Sequence, residues 1–172
     1  PALLDALADC GDADGPPRAN AAEAAYYEPR GGTAVAANAP LVRTAELATV
    51  RGGSPAAWAA LAAHVAALPA DTALNVNTAG PDVVAAAIPG LAGDHLAAFL
   101  SDRARKPFTT AAELRARLPR DVALPEGAAF AFSSSYFLVS VRSRQGDAVA
   151  QARALLKRDG RARPAVVWHV LE

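Results

Sequence analysis

Cysteine is nearly absent from this chain of 172 residues: Cys10 stands alone, which excludes an intrachain disulfide framework and a cysteine-rich metal site. A single thiol reads as a small buried apolar side chain before it reads as a reactive group. Net charge is absent too, since 17 Lys and Arg balance 17 Asp and Glu, so no global basic field gathers nucleic acid or an anionic membrane. Long apolar runs are lacking. The longest, residues 56–68, is interrupted by His64 and is too short to span a bilayer. No phosphate-binding glycine loop, H-E-x-x-H pair or G-x-S-x-G elbow occurs, and the three histidines (His64, His95, His169) are far apart in sequence, so no catalytic constellation is expected. The chain opens at Pro1 inside an apparent helix, without a charged leader or cleavage site. The expectation is a fragment trimmed of an anchor or export signal.

What is present is apolar residues at 52%, dominated by alanine, which favours helix while contributing little burial per residue. A mostly helical chain is the first expectation. Charge is sorted along it: residues 1–38 hold six acids against two arginines, and residues 133–172 hold seven bases against three acids. The two ends should attract different partners.

Residues 2–9 read as a short helix and residues 11–20 as a loop rich in Gly, Asp, Pro and Asn. Thr44 offers a helix cap, with a stop near Arg51-Gly52-Gly53. Ser54-Pro55 opens a helix expected to carry Trp58, Leu61, Val65 and Leu68 at helical spacing up to Pro69, with Trp58 in the core. Residues 74–118 read as a second helical unit. It has Asn75-Val76-Asn77-Thr78-Ala79, a helix to Ile88, a turn at Pro89-Gly90, a helix through Phe99 to Arg105, and Pro107-Phe108-Thr109 capping a helix over 111–118. Residues 119–127, with two prolines, are the best linker candidate. From Ser133 the period changes to two. Turn signals at Gln145-Gly146-Asp147 and Asp159-Gly160 divide the tail into strands over 134–144, 148–158 and 164–171, an antiparallel meander with exposed edges and a face that needs a cover.

Two motifs bear on chemistry. Counted from Asp12, acids fall at positions one and three, Asn20 at nine and Glu23 at twelve, the spacing of hard oxygen ligands in a calcium loop. Pro16 and Pro17 stand where such a loop needs an acid or amide and a glycine, so a calcium site and a solvated acidic loop both remain open on spacing alone. The second motif is the 74–118 unit, which looks like a helix-hairpin-helix module of the kind that grips phosphates through backbone N–H groups. Its five bases face four acids, a weak footprint for nucleic acid, and a DNA-uptake type binder is the alternative function.

Taken in order, the segments resemble protein K of the general secretion pathway, the large minor pseudopilin of type II secretion. Leu7-Ala8-Asp9 precedes Asp12-Ala13-Asp14, then come Ala22-Glu23 with Tyr26-Tyr27, Ala37-Asn38-Ala39-Pro40-Leu41 and Glu46-Leu47 with Val50-Arg51-Gly52. Leu68-Pro69, Asn75-Val76-Asn77-Thr78-Ala79, Arg103 with Pro107-Phe108, Ser134-Ser135-Tyr136-Phe137 and Leu155-Leu156-Lys157-Arg158-Asp159-Gly160 complete the order. The resemblance implies a mainly helical α+β fold: two small helical subdomains of SAM-like or helix-hairpin-helix-like type, at 1–70 and 71–125, and the strands of a pilin-type sheet at 126–172. The anchor helix and first strands of that fold would be absent here. It implies no enzyme but a structural subunit at the periplasmic face of the inner membrane, capping the pseudopilus tip and initiating its assembly with the I- and J-type minor pseudopilins. An exported protein or the outer-membrane secretin are further candidate partners, with no nucleic acid and with membrane contact only through the missing helix. It also implies structural calcium in the acidic loop, with Asp12, Asp14, Arg18, Asn20 and Glu23 as the candidate site. Cys10-Gly11 and Ala24 depart from the family's usual residues there.

Overall fold

The computed structural model describes Ala6 and residues 41–50, 54–69, 72–160 and 163–171, and the chain divides into two compact units, Pro1–Thr72 and Ala73–Glu172. The candidate metal residues Asp12, Asp14, Arg18, Asn20 and Glu23, together with Cys10 and the Tyr26-Tyr27 pair, lie outside the described residues.

In the first unit a 3-10 helix spans Thr44–Thr49 and α1 spans Pro55–Ala62. The expected Thr44 cap is replaced: the Glu46 carboxylate accepts from the N–H of Val42 at 3.1 Å and of Arg43 at 3.2 Å, so the start moves back to Arg43. α1 begins as expected, with Pro55 in its first turn and Ser54 Oγ accepting from Ala57 N at 3.1 Å. It stops short of the expected Leu68. His64 N and Val65 N both donate to Leu61 O and close the last turn, and Val65 is 40% exposed. A helix in which Trp58 is the buried side chain gains little by extending, because alanine on its other faces buries no compensating surface. Trp58 packs with Ala6 and Val50, and Leu41, Leu47 and Leu61 border them.

The second unit begins with β1 (Leu74–Asn75), followed by α2 (Pro81–Ala87), α3 (Gly93–Arg105) and α4 (Ala111–Ala116). The three expected helices are present, but the run from Asn75 to Ala79 is a strand end and turn. β1 pairs in parallel with β2 (Phe130–Ala131), a contact across more than fifty residues. α4 is capped by Thr110, whose Oγ1 accepts from Glu113 N at 3.1 Å, one position later than expected. The turn between α2 and α3 requires Gly90, which has φ 87°. Val76, Val84, Ile88, Leu91, Phe99, Phe108, Leu114 and Val122 form the core, with Phe99 and Phe108 rings stacked at 5.2 Å. Val122 corrects the expectation of a linker at 119–127. That segment crosses the core, and Leu124, Phe130 and Phe132 pack on it as well.

The tail forms β3 (Tyr136–Gln145), β4 (Ala148–Lys157) and β5 (Ala165–Leu171), an antiparallel meander in the order β3-β4-β5, as the period-two pattern predicts. A bulge between Leu155 and Leu156 shifts the β4–β5 register. The whole is a mixed α+β fold.

Candidate assembly surface

The residues that suggested a phosphate grip are engaged inside the second unit. Asn77 Oδ1 accepts from Phe108 N at 2.8 Å, while its Nδ2 donates to Phe108 O at 2.8 Å and to Phe132 O at 3.0 Å. One amide side chain thereby pairs like a peptide with the loop before α4 and ties the segment entering the sheet to it. Asn75 Nδ2 donates to Ser134 Oγ at 2.8 Å, and its Oδ1 closes an Asx turn onto Asn77 N. Arg103 Nη1 donates to the carbonyls of Val76 and Ala79 at 2.7 and 2.8 Å.

Three of the remaining bases, Arg105, Lys106 and Arg117, are drawn into ion pairs. Arg117 lies 4.0 Å over the Phe108 ring, donates to Asp102 at 2.6 Å and pairs with Glu113 at 3.3 Å; Lys106 meets Glu113 at 3.2 Å and Arg105 meets Asp102 at 3.5 Å. The backbone N–H of Thr109, then its hydroxyl, then Lys106 hold the Glu113 carboxyl down, at about 2 against an ordinary 4.5. Asp94 occupies the first turn of α3, placing negative charge where a phosphate would sit. This geometry braces a fold and offers no basic array to a nucleic-acid backbone.

An exposed apolar surface lies on the sheet. Cross-strand register places Phe137, Val139 and Val141 of β3 on one face, opposite Leu156, Ala154 and Ala152 of β4, with Val166, His169 and Leu171 of β5 completing the third row. Val139, Val141, Val166 and Leu171 are 38%, 55%, 59% and 79% exposed, far above the core residues of the same unit. Ala148, Ala150, Ala152 and Ala154 run down the central strand on this face, so its middle is a shallow trough between taller walls. All four basic residues of the three strands, Arg142, Arg144, Arg153 and Lys157, fall on the opposite face. The sequence reading placed these alanines in a strand, as observed, but did not show which face of the sheet they line. His64 lies in the turn after α1, His95 in α3 and His169 in β5. No helix among the described residues is long and apolar enough to cross a membrane.

Residues 1–70 and residues 74–129 each match a family described as type II secretion system (T2SS), protein K. The type II secretion system protein K of Aeromonas hydrophila is 31% identical over 164 residues, a match that takes in 91% of this chain and 50% of that protein. The chain thus spans about half the length of that curated relative. In the crystal structure of the GspK-GspI-GspJ complex from the enterotoxigenic Escherichia coli type 2 secretion system, one chain superposes with a TM-score of 0.75 at 20% identity, covering 99% of this chain and 62% of that one. At that identity the likeness speaks to the fold.

Proposed function

Because this chain belongs to the type II secretion system protein K family, we propose that it is part of a minor pseudopilin, a structural subunit without catalysis that joins the I- and J-type pseudopilins at the tip of the pseudopilus. One observation carries the reading: a sheet face with an alanine trough and exposed aliphatic walls, a surface too apolar to stand in water alone and shaped for a helix. The longer protein would supply that helix, which would also anchor it in the inner membrane and leave the units described here in the periplasm. Pilin-type subunits stack by a heterologous contact that repeats. A protomer carrying two extra units accepts a neighbour below and blocks one above, so growth starts beneath it. In domain terms we propose helical subdomains at 1–70 and 71–125 and pilin-type strands at 126–172.

Calcium belongs to the same proposal. Asp12, Asp14, Asn20 and Glu23 supply hard oxygen donors, the donor set a divalent calcium ion takes, and Arg18 could add only its backbone carbonyl. Bound there, the ion would tie a proline-rich loop to the segment after it.

The test is reconstitution. Mixed with the periplasmic domains of the I- and J-type pseudopilins, the chain should elute with them in one complex whose mass by light scattering matches a single copy of each. Separate elution of the chain at micromolar concentration would defeat the assembly role.

A further inference from the structure

The β3–β4 hairpin is longer than the strand beside it. β5 pairs with β4 only from Ala152 to Lys157, so residues 142–145 and 148–151 continue as a two-stranded ribbon with no third strand among the described residues. Every residue of that ribbon is exposed. Two strands alone are marginal in water, which makes an unsupported ribbon a candidate for contact with something else.

The ribbon ends in a tight turn at Gly146. Gly146 has φ 59°, and Arg144 Nε donates to Gly146 O at 3.0 Å, fixing one side of that guanidinium. Register sets Arg142 opposite Gln151 and Arg144 opposite Val149 on a common face, with the two arginines ~7 Å apart along the strand. Among the described residues neither arginine has a carboxylate within ion-pair distance, and β3, β4 and β5 contain no Asp or Glu. Two guanidinium forks at a set spacing match two carboxylates at the same spacing. Salt screens exposed charges beyond a Debye length of about 8–10 Å at 0.1–0.15 M, and the chain as a whole is neutral and adds no long-range basic field, which suits a compact protein surface better than an extended polyanion.

We propose that this ribbon is an arm that docks on a neighbouring pseudopilin through a pair of carboxylates facing Arg142 and Arg144. The inference rests on the assembly role proposed above, and its test separates the two. The chain is titrated calorimetrically with the periplasmic domains of the I- and J-type pseudopilins at low and high salt. The double variant R142S/R144S should weaken binding on the order of tenfold and flatten its salt dependence, with a thermal midpoint lowered only slightly, since the variant removes one exposed hydrogen bond, Arg144 Nε to Gly146 O, and no ion pair among the described residues. R142K/R144K should keep the salt dependence while losing part of the affinity. If the wild type binds and R142S/R144S binds equally well, the arm is overturned and the assembly role stands. If the wild type binds neither partner, the assembly role fails and the arm with it. If the double variant loses affinity for phosphatidylglycerol vesicles but not for the pseudopilins, the arginines serve a lipid surface and the proposal is wrong.

Discussion

Asn77 gathers three long-range hydrogen bonds in one side chain. Its amide serves both the N–H and the C=O of Phe108 and reaches Phe132 O, so three backbone groups from two distant segments depend on it. Truncation leaves those groups without partners in a part-buried site. Asn77→Ala is therefore expected to destabilise the unit by about 2–3 kcal/mol in urea unfolding, and Asn77→Asp, which keeps the acceptor and loses the donors, by a similar amount. Equal stability of Asn77→Ala and wild type would show that water replaces the amide. The sequence marked this residue as part of a recurring run but not what it bonds, because its partners are 31 and 55 residues away and no local spacing encodes them.

Among the elements, the junction between α3 and α4 is held by charge. Glu113 accepts from Thr109 N at 3.0 Å and Thr109 Oγ1 at 2.9 Å, and it meets Lys106 and Arg117, so it fastens the loop to the first turn of α4. Its carboxyl titrates lower folded than unfolded. The stability it contributes is thus fully present above 4.5 and is lost as pH falls from 4.5 through about 2. Glu113→Gln should reduce stability at pH 7 and remove part of the acid-induced fall in that window, read as thermal midpoint against pH; an unaltered acid limb would assign the fall to other carboxylates. Helix starts were legible where a cap is local, as Ser54 before α1 illustrates. Helix ends were less so. α1 stops at Ala62 because nothing beyond Leu61 is buried on its face, and burial is a property of the fold.

For the whole molecule the expectation is two units that respond separately to calcium. Anything that binds only the folded state adds RT ln(1 + [L]/Kd), about 2.7 kcal/mol at a hundredfold excess over Kd. Calcium added after EDTA should raise the melting transition of residues 1–72 and leave that of 73–172 in place, and Asp14→Ala or Glu23→Ala should abolish the rise. No rise in the wild type would reduce the acidic loop to solvated carboxylates. By itself the sequence determined the meander, the three helices of the 74–118 unit, the burial of Trp58 and the ordered run of segments that places the chain in its family, because period, caps and turn residues act within a few positions. The tertiary structure alone decided that 119–132 closes over the helical core, that Asn77 is a clamp and no phosphate grip, and that the alternate alanines of β4 line a trough on one face of the sheet. Those outcomes depend on which distant surfaces meet, and the burial and packing of a side chain are set by those neighbours where period, caps and turn residues act only locally.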